Sequence, residues 1–327
     1  DAFAISLGKE KNYLVLAEKI ALQFPDDKMK VRSAFRWITE FIQLDYRFIN
    51  SGKELNKPDC LLSDPICAQQ MKTWETGFLR KIMYSRKTIP EGYARLFQTI
   101  CNLMFIRCET IYGYARTRPY QIGNSIGANH YWNAVYLDNT WYYLDPTWAA
   151  GYAEEDDDGR LIRYVKKLDE YYWLRKQDAF SRNHYPKKGF AVEEMRISKE
   201  QFFNKPYYYS TDILSNLEEF SPATGVLKCR KGDTIHFLFD YRKDIRQIQV
   251  NTNIFRNPPV MVQQVKGRKI SWVKDEWAER KQVFWPFEKN GRTYSLNVVI
   301  QDLACYYIEL VLDGQPAIRY RVRVEPN

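Results

Sequence analysis

Only three histidines occur in 327 residues, and one of them, His130, stands at the head of the run His130-Tyr131-Trp132-Asn133-Ala134-Val135-Tyr136-Leu137-Asp138. A second run follows at once, Trp141-Tyr142-Tyr143-Leu144-Asp145-Pro146-Thr147-Trp148. Both read as strands, and Asp138-Asn139 reads as the hairpin tip between them. A hairpin of these lengths returns Asp145 to the end where His130 starts. An imidazole beside a carboxylate is a proton-transfer pair: the carboxylate fixes the tautomer, and the ring moves protons to or from a nucleophile. The missing member would be a thiol or hydroxyl. Six cysteines are present, Cys60, Cys67, Cys101, Cys108, Cys229 and Cys305, with no Cys-x-x-Cys pair that would suggest zinc. Cys60 and Cys67 are spaced for a local disulfide, with free buried thiols as the alternative.

The pair needs a scaffold, and the flanking sequence supplies one. Residues 10–23 place Leu14, Ala17, Ile20 and Ala21 on one helical face. After Pro25, Asp26 or Asp27 can cap a second helix that repeats Val31, Ala34, Phe35, Ile38, Phe41 and Ile42. A third helical pattern covers about 66–84. A fourth opens at Pro90 and carries the apolar stripe Ala94, Phe97, Cys101 and Met104. Strands are expected at 109–116, 130–138 and 141–147. Glu-Glu-Asp-Asp-Asp-Gly at 154–159 lacks the spacing and closing Glu of an EF-hand and reads as a solvated hairpin tip.

From about residue 222 the text becomes strand-like, with runs at 226–230, 234–241, 245–252, 269–272, 294–301, 306–312 and 317–324. Seven short strands separated by turn residues predict an immunoglobulin-like sandwich. The expected division is 1–215 for a helix-and-sheet domain and 216–327 for the sandwich, with the joint near Pro206–Pro222.

These segments together resemble the transglutaminase-like superfamily, a papain-like group built on a Cys-His-Asp triad. Arg86-Lys87-Thr88-Ile89-Pro90-Glu91-Gly92-Tyr93-Ala94 aligns with a stretch that usually reads Gly-Val-Cys-Glu-Gly-Tyr-Ala, so Thr88-Ile89-Pro90 replaces Gly-Val-Cys. Arg36 to Tyr46, Tyr171-Tyr172-Trp173-Leu174, Asn183-His184-Tyr185-Pro186 and Ser198 to Pro206 are similar to the kyphoscoliosis peptidase and hillarin branch. The resemblance implies an α+β papain-like core, with His130 and Asp145 as the surviving catalytic pair and Pro90 at the nucleophile position. His184 reads as a structural loop residue. Proline is well tolerated at a first helical position, so the fold can outlive the thiol.

The expectation is therefore a catalytically inactive relative. Its cleft, with Tyr93, Trp132 and Trp148 as lining residues, binds a peptide, protein or cell-wall polymer. The alternative is an active cysteine peptidase or acyltransferase using a displaced thiol. Cys101 lies on the helix of Pro90, roughly 16 Å further on at about 1.5 Å per residue, too far to substitute. No metal or cofactor is expected. A net charge of +9 suits attraction to anionic surfaces, but no basic tail, zinc-ligand spacing or RNA-type aromatic motif points to nucleic acid. No stretch is long and apolar enough to span a bilayer. The start at Asp1, without Met or leader, together with the family's habits, suggests a processed, extracytoplasmic protein.

Overall fold

The computed structural model describes residues 1–60, 63–266 and 269–326. Two compact units emerge, one of Asp1–Ala115 with Gly127–Arg196, the other of Arg116–Ile126 with Ile197–Asn327. The joint expected near residues 206–222 thus falls inside the second unit, which also takes the loop 116–126.

The first unit is the α+β core. Its central sheet is antiparallel, in the order Thr140–Leu144, His130–Leu137, Cys108–Ala115, His184–Pro186. The helix Pro90–Leu103 packs across the strands Cys108–Ala115 and His130–Leu137. Its buried face holds Ala94, Leu96, Phe97, Ile100 and Cys101. Asn133 pins helix to sheet, its side-chain amide donating to the Ala94 carbonyl at 2.9 Å. The helices Tyr13–Gln23 and Asp27–Phe41 start where the sequence provides caps: Asn12 accepts from Leu14 N–H and Asp26 from Met29 N–H. The helix Pro65–Ser85 follows Asp64 in the same way. Asp138 and Asn139 both take positive φ, 49° and 60°, as a tight hairpin turn requires. The acidic run 154–159 joins the two strands of a separate hairpin, Gly151–Glu155 and Leu161–Lys166. Cys60 and Cys67 form a disulfide; Leu61 and Leu62, between them, lie outside the described residues.

One glycine decides how close the strands come. Gly113 is the register partner of both His130 and Pro186. A Cβ there would meet the Tyr185 carbonyl at 2.3 Å and the Trp132 ring at 2.4 Å. Its bare backbone lets the two flanking strands bring their side chains together across it.

The second unit is β-rich. One sheet runs Leu217–Ser221, Thr234–Tyr241, Thr293–Val299, Glu288–Asn290. The other runs Val226–Arg230, Gln315–Glu325, Tyr307–Leu312, Ile248–Thr252, with Tyr207–Tyr208 also paired to Gln315–Glu325. Alternate residues Phe237 and Phe239 on one sheet and Leu227, Ile318, Tyr320 and Val322 on the other are buried, and the Phe237 and Tyr320 rings meet 5.1 Å apart. The expected strand at 269–272 is displaced from this pattern: Met261–Lys266 and Lys269–Lys274 form a hairpin of their own.

Candidate functional site

Asp145 was expected to end a strand. Instead it caps the short helix Pro146–Ala150: its Oδ1 accepts from the backbone N–H of Thr147 at 2.8 Å and of Trp148 at 3.1 Å. That leaves Oδ2 for the imidazoles. His130 Nε2 donates to it at 2.7 Å, which sets the tautomer and leaves Nδ1 as the acceptor that would face a nucleophile. His184 Nε2 reaches the same oxygen at 3.2 Å. All three side chains are buried, Asp145 completely. The approach of His130 and His184 from opposite sides of the strand Cys108–Ala115 follows from the pairing through Gly113.

Burial by itself would raise the Asp145 carboxyl. The charge and hydrogen bond of His130, then those of His184, outweigh it and hold the group well below the usual carboxylate range. For His184 burial dominates and pushes the ring down to about 4, against the pull of Asp145. The ring is therefore neutral near pH 7. Its Nδ1 lies 2.7 Å from Asn183 Oδ1, and the Asn183 amide also contacts the Tyr172 hydroxyl at 3.2 Å. Asn183 Nδ2 donates to the Tyr172 hydroxyl, and Asn183 Oδ1 is the atom that faces the ring.

An aromatic wall surrounds the two rings. Phe180 stacks on His184 at 4.2 Å, Trp148 lies 4.6 Å from His184 and 5.0 Å from His130, and Trp132 lies 4.9 Å from His184. His130, Asp145 and His184 are also a group of metal-type donors within 4.8 Å of one another. Both imidazoles already converge on Asp145 Oδ2, so a metal would have to displace two hydrogen bonds to the one oxygen both would share.

Pro90 takes the first position of the helix Pro90–Leu103, after Ile89 as N-cap. Glu91 beside it is buried and paired with Lys57 at 3.0 Å and Arg95 at 2.8 Å. Gly92 is held close to Thr88, whose Oγ1 would lie 1.9 Å from a Cβ. Two of the three expected lining residues do not face an open groove. Tyr93 is fully buried with its hydroxyl donating to the Ile42 carbonyl at 2.9 Å, and Trp132 is 1% exposed. Trp148 remains half-buried. His184, read as structural from the sequence, shares the carboxylate with His130; an Asn-His-x-Pro run carries no local sign of that.

Residues 61–146, which contain Pro90, His130 and Asp145, match the family model of the transglutaminase-like superfamily. Kyphoscoliosis peptidase of Homo sapiens is 26% identical over 235 residues, 71% of this chain and 32% of its own length. Residues 61–146 thus carry a transglutaminase-like core, and the chain is similar to members of the kyphoscoliosis peptidase and hillarin branch. Hillarin of Drosophila melanogaster is 26% identical over 224 residues, covering 64% of this chain and 24% of hillarin. The Lim and transglutaminase domain protein ltd-1 of Caenorhabditis elegans is 31% identical over 153 residues, 43% of this chain and 20% of its own length. The chain thus spans about a third or less of the length of these relatives. His184 lies beyond the matched core.

Proposed function

We propose that this chain is a catalytically inactive transglutaminase-like protein in which Pro90 occupies the nucleophile position. The vestigial cleft then binds a peptide or cell-wall-type ligand without turning it over. One observation carries the reading: the helix that should open with a thiol opens with a proline, while His130 and Asp145 keep their hydrogen bond. Losing a nucleophile typically removes on the order of 10⁶ in turnover.

The remaining thiols support it. Cys60 and Cys67 are joined, and Cys101, Cys108, Cys229 and Cys305 are buried. Burial pushes the thiols of Cys108, Cys229 and Cys305 up, away from the reactive thiolate. Pro90 and Trp148 keep partial exposure and are the contacts we assign to a ligand. The disulfide also supports an extracytoplasmic setting, where such bonds persist.

A Pro90→Cys variant tests the assignment. A thiol at a helix N-terminus, facing His130, should react with iodoacetamide about tenfold or more faster than any native thiol, and His130→Ala should slow it. If the new thiol labels no faster than the buried ones, Pro90 does not hold the nucleophile position. A native thiol whose labelling depends on His130 would instead favour an active cysteine enzyme. Calorimetric titration with peptides and peptidoglycan fragments, repeated on Trp148→Ala, tests the ligand; absence of heat with all of them removes that half of the reading.

A further inference from the structure

A further opening lies in the second unit. The outer face of the sheet containing Val226–Arg230 and Gln315–Glu325 carries two cavities of about 810 and 570 Å³. The segment 119–125 lines both, and both reach Arg323, so the two lie side by side on one face as a trough divided by that segment, which Arg321 holds to the sheet. Volumes of this order hold a ligand of several sugar or amino-acid units.

The floor is cationic. Lys228 and Arg323 are direct register partners on parallel strands and both are exposed. Neighbouring strands lie about 4.8 Å apart, so two like charges stand side by side, an arrangement that is unfavourable by itself. Neither has an ion-pair partner among the described residues. Arg321 donates to Asn124 Oδ1 at 2.8 Å and the Ile122 carbonyl at 3.3 Å, which leaves its charge unneutralised. Arg319 is matched by Glu309 at 3.8 Å. Among the described lining residues Glu200 is the single carboxylate.

The walls are aromatic and hydroxylic. Tyr120 is 70% exposed and Tyr306 60% exposed at the second cavity, while Ser125, Asn204 and Thr224 line the first. Cations spaced along a shallow trough, flat phenol rings and neutral hydrogen-bonding groups match a chain of sugar rings carrying regularly spaced anions.

We propose that this trough binds an acidic polysaccharide. It is a separate site from the cleft of the first unit and stands whether or not Pro90 marks a lost nucleophile.

The test is calorimetry on the whole chain with dextran sulfate, polygalacturonate and uncharged dextran, at low and high salt. Both acidic polymers should bind, weakening as salt rises, and dextran should not. The double variant Lys228→Glu/Arg323→Glu should lose about tenfold or more in affinity. A control with the same change of net charge, Lys72→Glu/Arg80→Glu on the exposed face of the helix Pro65–Ser85, should lose less than about threefold. Tyr120→Ala should weaken binding several-fold without altering the salt dependence. Equal losses in the two double variants would reduce the effect to overall charge and overturn the proposal. So would tighter binding of polyglutamate or a single-stranded oligonucleotide than of either acidic polysaccharide, or no binding of the acidic polymers at all.

Discussion

In the first unit one carboxylate serves two imidazoles and two backbone amides away from water. In the second, Lys228 and Arg323 face solvent side by side, with no carboxylate paired to either among the described residues. The two regions use charge in opposite ways. A buried charge is tolerable only when every lone pair is occupied, so the Asp145 cluster is bound into the fold. Exposed cations cost the fold little, so the trough is free to be shaped by what it meets. Residues that look catalytic in sequence therefore carry structural weight here, and residues that look like ordinary surface charge carry the better opening for a ligand.

Substitutions can break this contrast. Asp145→Ala should have the largest effect. It leaves two buried imidazoles without their acceptor and uncaps the helix Pro146–Ala150. A loss of about 3–5 kcal/mol in urea unfolding is expected; a loss under about 1 kcal/mol would mean the cluster is not structural.

Acid should act on the same cluster. His184 sits at about 4 in the folded chain against an ordinary value near 6.5. Between these the unfolded chain binds a proton that the folded chain refuses, so stability rises with pH through this window and is complete above it. The change is up to about 3 kcal/mol. Asp145 adds a contribution that is present above about pH 4 and disappears as pH falls through its depressed value. Urea midpoints measured from pH 4 to 7 should follow this slope, and His184→Gln should flatten it.

Gly92→Ala comes next. The added Cβ would meet Thr88 Oγ1, so a cost of about 1–3 kcal/mol is expected in the same assay. Last is the trough: Lys228→Glu/Arg323→Glu should shift stability by no more than about 0.5 kcal/mol. A large loss there would show that the basic face belongs to the fold after all.

Much of the first unit was legible because its signals are local. Asp26 precedes an apolar periodic run, Asp138-Asn139 turns the hairpin, and His130 and Asp145 meet because the hairpin returns on itself. What escaped the sequence is tertiary. The strand His130–Leu137 is buried on both faces over most of its length, so alternation could not say that Trp132 points inward. Tyr93 follows Gly92 beside the apolar stripe, and nothing nearby reveals that its hydroxyl finds the Ile42 carbonyl 51 residues earlier. His184 joins Asp145 from 39 residues away, from a strand that pairs with the far edge of Cys108–Ala115. The trough was hidden for the same reason: Asn124 and Arg321, which meet there, are 197 residues apart in the chain.

The double duty of Asp145 has an evolutionary consequence. A lineage that loses its sulfur nucleophile gives up chemistry, but it cannot discard this acid without also unravelling a helix and stranding two rings in oil-like surroundings. On the reading that Pro90 replaces the nucleophile, the needs of folding alone would keep half of the proton-handling apparatus in place, and such a molecule would stay near the border of reactivity for as long as it remains folded.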